Sequence, residues 1–349
     1  LSQSKGRRAF AGEARTAAAR AAAKAAWWGG AGLIARALTR PTKTKSKAPP
    51  PSSPPPPRGF FRKAWLEAFE KEAQDIAEGL YPPSLRGPGG PAVVRRTADF
   101  IADAFTVEAR RRRGDVAEVR DISPPAYPAY YRQNFHFQTG GWFTADSAER
   151  YEAQVEALFS GAAGAMRRRA LALLARAWRN RDQRGLKVLD LACGTGPFLS
   201  DLAAAFPRAR LIGLDLSAPY LNEARKAGAG AVLVQAKAEQ LPFAASSLDA
   251  VAAVYLLHEL PPRVRETVAA EIARVLKPGG LFVLADSIQP ADEPRFARYI
   301  EAFPAYFHEP YYAGYAKTDL AGLFGERGLT LRAEDRAFFT KAMLFAKKD

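Results

Sequence analysis

Apolar positions along this chain follow two rhythms, and the second half keeps the more regular one. Short apolar runs at 187–191, 211–215, 231–235, 249–257 and 281–285 have the length and bounding turns of buried strands. Helical patterns at 198–206 and 219–226 separate the first three runs. Strands alternating with helices predict a parallel sheet with right-handed crossovers. Leu276, Pro278, Gly279 and Gly280 mark a sharp turn into the fifth run, and 329–332 with 343–346 read as a closing hairpin joined through 333–342. Upstream the period lengthens. Ala64, Leu66, Phe69 and Ile76 lie among charges in a helical pattern over 60–79, and 81–91 is rich in turn formers. A further helix ends near an arginine run at 110–113. Asp146 reads as an N-cap with Glu149 returning the bond, Tyr151, Val155, Leu158 and Phe159 share the face of the helix that follows, and Leu171, Leu174 and Trp178 point inward from a helix over 166–179.

Charge divides the chain where the pattern does not. The net charge is +15, but residues 1–63 hold 14 Lys and Arg against the single acid Glu13, which is +13 and leaves +2 for the rest. A nearly neutral body argues against tracking a nucleic-acid backbone, which needs a clustered basic face. Arg110 to Arg113 is the local exception, either a solvated helix end or a contact for an anionic partner. Residues 1–40 are rich in Ala and Arg and almost free of acids, as in an organelle transit peptide or the arm left after processing. Trp27 and Trp28, beside Lys24, Arg36 and Arg40, offer the other reading, docking on a membrane surface or a partner protein. A leader without fixed structure is the simpler expectation. Proline-rich 49–57 then forms an extended spacer. The expected organisation is therefore a basic arm (1–63), a helical, aromatic-rich cap (64–180) and a ligand-binding domain (181–349). The one cysteine, Cys193, forms no internal disulfide, and three widely spaced histidines predict no metal site.

Candidate chemistry gathers at Val188 to Phe198. Gly194 and Gly196 allow a tight turn from a strand into a helix, the place where doubly wound sheets bind ligands. A phosphate-cradling G-x-G-x-x-G needs a third glycine where this chain has Leu199, which disfavours a dinucleotide. Carboxylates discriminate further. Asp215 closes the second strand and suits a ribose diol, while Asp190 beside the glycine turn suits a cation. S-adenosylmethionine combines an ammonium, a sulfonium and a ribose with no phosphate.

Asp190, Cys193, Gly194 and Gly196 resemble motif I of the class I S-adenosylmethionine-dependent methyltransferases, with Ala192 standing where many members have Gly. Ala238, Glu239, Leu241, Pro242 and Phe243 resemble that family's adenine segment, and the L-K-P-G-G at 276–280 its turn into the fifth strand. The resemblance covers about 180–349. More loosely, 81–178 and the H-E-L-P-P and F-H-E-P-Y-Y pieces are similar to a plastid and cyanobacterial branch near the ubiquinone/menaquinone-biosynthesis C-methyltransferases. It implies an α/β fold with a doubly wound, seven-stranded, mostly parallel sheet whose last two strands are reversed. It also implies S-adenosyl-L-methionine as cofactor, held by Asp190, Ala192, Cys193, Gly194, Gly196, Asp215, Leu216, Ala238, Glu239 and Tyr255, and a chloroplast location in the stroma or at a membrane. Lys237 departs from the family, because a lysine has only donors where an aspartate takes the adenine amino group; Glu239 or Gln235 is left to accept it. His258 and Glu259, at the end of the fourth strand, and His308 are the candidates for acid/base or orienting roles, with loop fixing the competing role for His258. The aromatic stretches 130–143 and 303–315 read as walls for a small aromatic or quinone-like acceptor, or as caps packed on the core. A retained fold serving as an assembly factor or structural subunit, tethered by the arm, is the alternative.

Overall fold

The structure is a computed structural model that describes residues 2–39, 50–84, 91–124 and 126–349. Arg40, Pro49 and 85–90 of the turn-rich stretch lie outside the described residues. Four helices come first: α1 (Ser2–Thr39), α2 (Phe60–Ala77), α3 (Pro91–Arg113) and one-turn α4 (Val119–Ile122), followed by α5 (Ala145–Leu158) and α6 (Ala163–Ala177). The alternating part comprises β1 (Lys187–Leu191), α7 (Pro197–Ala205), β2 (Arg210–Asp215), α8 (Ala218–Lys226), β3 (Val232–Gln235) and β4 (Leu248–Val254). It ends with α9 (Pro262–Val275), β5 (Leu276–Ser287), α10 (Ala297–Phe307), α11 (Tyr312–Tyr315), α12 (Leu320–Gly325), β6 (Leu329–Ala337) and β7 (Thr340–Lys347).

Among the described residues the strands make one seven-stranded sheet in the order β3-β2-β1-β4-β5-β7-β6. β1 to β5 are parallel, and β7 pairs antiparallel with both β5 and β6. The two-residue period of a strand divides the core between the faces. Leu189 and Leu191 of β1, with Val251 and Ala253 of β4, join the α9 and α12 side, whereas Val188, Ala250 and Ala252 join the α6 and α7 side. Order reverses between β1 and β4, which leaves a crevice beyond their carboxyl ends.

Several local expectations shift. Thr144, not Asp146, caps α5, accepting from the Ser147 N–H at 3.2 Å; Asp146 stands in the first turn, where its charge suits the helix dipole. Residues 276–280 are part of β5, which meets Leu248 and then resumes at Ala250 across a register shift. The closing hairpin is longer than its apolar runs, because Glu334, Asp335 and Arg336 of β6 still pair with β7, leaving Phe338 and Phe339 as the turn. The arginine run divides, with Arg112 and Arg113 exposed at the helix end and the first half tied down. Arg110 is buried, donates to the Phe137 carbonyl at 2.9 Å and pairs with Glu118, and Arg111 donates to the Tyr306 carbonyl, so the run ties α3 to the aromatic loop and α10.

The arm departs furthest from its reading as a leader without structure. α1 packs on α2, α3 and α5. Ala25, Trp28, Ala31 and Ala35 recur at helical spacing and are buried, with Trp28 against Ala153 and Ala157 of α5. Lys24 is buried in an ion pair with Glu156. No helix among the described residues is long and apolar enough to cross a membrane.

Candidate functional site

The cavity at the crevice takes its floor from the ends of β1, β2 and β4 and its roof from the cap, with about 1080 Å³ of space partly open to solvent. Its sequence-expected wall residues are Asp190, Ala192, Cys193, Gly194, Asp215, Leu216, Ala238, Tyr255 and Glu259. Gly196 stands just behind, at φ 79, where an added Cβ would lie 3.1 Å from that of Ala224; this is why α7 starts on glycine. Gly194 turns at φ 55. Ala192 also holds a left-handed φ of 60, which explains why glycine suits this position and why alanine strains it.

Asp190 is 1% exposed and its Oδ2 has no hydrogen-bond partner. Burial first, then the neighbouring Asp215, pushes its carboxyl well above the usual range. A cationic group entering the cavity reverses both costs. Asp215 accepts the Gly194 N–H through Oδ2 and the Ser217 N–H through Oδ1, each at 2.8 Å, which fixes the carboxylate at the mouth of the glycine turn with lone pairs to spare for a diol. Cys193 is buried with its thiol pKa pushed up, so it packs rather than reacts. This donor set of two acids, a glycine turn and no cradle of phosphate ligands fits the nucleoside, ammonium and sulfonium of S-adenosylmethionine.

At the adenine side, Lys237 is exposed. Gln235 spends its amide on the Leu216 carbonyl and the Tyr127 hydroxyl, each at 3.0 Å. Glu239 takes the Tyr130 hydroxyl at 2.7 Å on Oε1 and keeps a buried Oε2 without a partner; the Gln235 bonds use only its Nε2, so both candidate acceptors keep an oxygen able to accept.

The three candidates for acid/base work separate. Glu259 lines the cavity; burial, then Glu309, raises its carboxyl well above the usual range. His258 stands behind the wall, buried, with Nδ1 2.5 Å from Asp286 and Nε2 4.0 Å from Glu259. Asp286, rather than Glu259, therefore orients it. Burial lowers the imidazole pKa, but the Asp286 carboxylate outweighs this and lifts it to about 10. His308 is not in the wall; its Nε2 donates to Gln133 Oε1 at 2.9 Å, and Gln133 in turn donates to the Tyr130 carbonyl at 2.7 Å, which fastens the aromatic loop.

The roof was only half legible. Tyr130, Tyr131, Phe135 and Trp142 come from the aromatic stretch singled out in the sequence and all line the cavity; Tyr131, Phe135 and Trp142 also pack together, while Tyr130 packs on the sheet-side core. Tyr151 and Tyr220 complete that wall, and Glu152 pairs with Arg167 beneath it at 3.2 Å. Their signal in the sequence was a helix face, indistinguishable from core.

Comparison with known proteins agrees with this geometry. A family model described as a methyltransferase domain matches residues 188–280. An uncharacterized methyltransferase of Synechocystis sp. is 35% identical over 147 residues, 42% of this chain and 68% of that protein. The ubiquinone/menaquinone biosynthesis C-methyltransferase of Desulfotalea psychrophila is 42% identical over 107 residues, 30% of this chain and 43% of that one. The fatty-acid O-methyltransferase of Mycolicibacterium smegmatis is 38% identical over 125 residues, 35% and 45% of the two chains. This chain thus spans about two thirds of the first relative and less than half of the other two. With motif, fold and cofactor-shaped cavity in agreement, the chain belongs to the class I S-adenosylmethionine-dependent methyltransferases.

Proposed function

We propose that this protein methylates a small aromatic, quinone-like or lipid-like acceptor. The observation that carries the reading is a single cavity in which the acids suited to the cofactor and a wall of tyrosines, Phe135 and Trp142 meet. Such a wall suits a flat apolar ring with few polar groups. The relatives named for ubiquinone/menaquinone and fatty-acid methylation support the same acceptor class. When bound, S-adenosylmethionine supplies an electrophilic methyl on sulfur. The chain's own contribution is alignment and exclusion of water. Asp215 holds the ribose, Asp190 the ammonium, and Glu239 the adenine edge. Glu259 takes the proton of an acceptor hydroxyl or activated carbon, burial and then Glu309 making its carboxylate a stronger base than an exposed one. Protonated His258 keeps positive charge beside that carboxylate, as a positioning residue.

The test is label transfer from methyl-labelled S-adenosylmethionine into a panel of demethylated quinones, phenols and fatty acids, with Asp215→Ala as control. Label in a ring or lipid acceptor, lost in the variant, is expected. Intact cofactor binding with no labelled acceptor from the panel or from a metabolite extract would instead favour the second reading, a tethered subunit. Trp27, Leu33, Ile34 and Leu38, exposed on α1, speak for that reading.

A further inference from the structure

The fold gathers three residues that the sequence keeps far apart. His136 lies in the turn Phe135–Phe137, Glu259 in the turn Leu257–Glu259 after β4, and Glu309 just beyond α10. One ligand atom from each lies within 4.8 Å of the others. Glu309 is 1% exposed, and neither of its carboxylate oxygens has a hydrogen bond. His136 Nε2 is in ion-pair contact with Oε1 and makes no hydrogen bond elsewhere, while Oε2 has no partner. Buried polar atoms left this way cost free energy unless something shared satisfies them.

The local charge balance points to what that is. Asp286 is matched by His258, which it holds at 2.5 Å. Glu259 and Glu309 remain, two carboxylates with His136 between them. We propose that His136, Glu259 and Glu309 bind one divalent transition-metal cation, of the Mn²⁺, Fe²⁺ or Zn²⁺ class, in the wall of the methyl-transfer cavity. One imidazole with two carboxylates suits these ions better than Mg²⁺ or Ca²⁺, which take oxygen ligands almost exclusively. Three protein ligands leave coordination positions open for water or a ligand oxygen. Glu259 gives one carboxylate oxygen to the cluster and also belongs to the cavity wall, so a phenolic or enolic oxygen of the acceptor has a cation beside it while the other Glu259 oxygen takes its proton. That last consequence rests on the acceptor reading above; the cation site itself does not.

The experiment uses the full chain stripped of metal with a chelator and titrated with Mn²⁺, free ion being followed by electron paramagnetic resonance. One ion per chain is expected, with affinity falling at least tenfold in Glu309→Gln and in His136→Ala at unchanged melting temperature of the metal-free protein. The unaltered chain gives a second readout, since it has only three histidines. Zn²⁺ should move the side-chain nitrogen resonances of His136 while those of His308 stay. No binding at millimolar Mn²⁺, equal affinity in folded variants, or an unmoved His136 would overturn the site. None of these measurements involves a methyl donor or acceptor, so failure here is distinct from failure of the acceptor reading.

Discussion

Asp190 shows how one side chain ties cofactor binding to pH. Its burial and its neighbour Asp215 favour the protonated form in the free protein, whereas an ammonium beside it requires the carboxylate. Cofactor affinity should therefore rise with pH while Asp190 loses its proton, and calorimetry over a series of increasing pH should find that slope flattened in Asp190→Asn. The same variant should bind S-adenosylmethionine at least tenfold more weakly, about 1.4 kcal/mol, the low end for a hydrogen bond to a charged group. His258 gives a slope of opposite sense in stability. Its folded pKa of about 10 exceeds the ordinary 6.5, because Asp286 outweighs burial. The folded state then holds the extra proton between those values, so this contribution is complete below pH 6.5 and is lost as pH rises through 10. Denaturation midpoints at pH 6, 8 and 10 should fall more steeply for the natural chain than for His258→Gln; equal slopes would mean the Asp286 contact is not made in solution. Motif residues such as Asp190 and Asp215 were legible because one interrupts and the other ends a contiguous apolar run beside the glycine turn. Glu309 was not, since nothing in its local sequence distinguishes a buried acid from a solvated one.

At the scale of elements, α6 holds the cap to the sheet through charge as well as apolar packing. Arg167, Arg168 and Arg169 are all buried on it. Arg167 meets Glu152 and Glu156 of α5, Arg168 meets Glu72 of α2 and Asp201 of α7, and Arg169 meets Asp75 of α2 and, at 3.0 Å, Asp335 of β6. Three charges in sequence read as an exposed helix face, and only the acids brought from four other elements make burial tolerable. This is why the inward leucines of the helix were legible while its arginine face was not. The longer β6 was missed for a related reason, as Asp335 looks like loop until Arg169 and Lys71 are seen to hold it. Removing Arg169 leaves Asp75 with Arg176 and Tyr81 and Asp335 with Lys71, so Arg169→Leu should lower unfolding free energy by about 2 kcal/mol, the loss of hydrogen bonds between charged groups rather than of a stranded charge. A single variant within about 0.5 kcal/mol of the natural chain in chemical denaturation would contradict the assignment.

Across the whole molecule, the basic N-terminal segment is where charge and structure say different things. Its composition is that of a leader, yet α1 presents Ala25, Trp28, Ala31 and Ala35 to a groove between α3 and α5, with Val93 and Phe100 closing over Trp28. Small residues at that spacing carry little hydropathy, so the face is visible only once the groove exists to receive it. The central strands β1 and β4, by contrast, were legible, because they are apolar on both faces and the loops after them fall at the carboxyl ends where ligands bind. Function and anchoring are consequently separable: among the described residues, none of those lining the cavity comes from α1. Trp28→Ala should remove about 3 kcal/mol of packing, lowering the first unfolding transition in calorimetry while leaving S-adenosylmethionine affinity within twofold. An unchanged transition would show that α1 does not hold the body in solution. A loss of cofactor affinity alongside it would show that the helical cap transmits strain to the cavity through α5, whose Tyr151 and Glu152 stand in the wall.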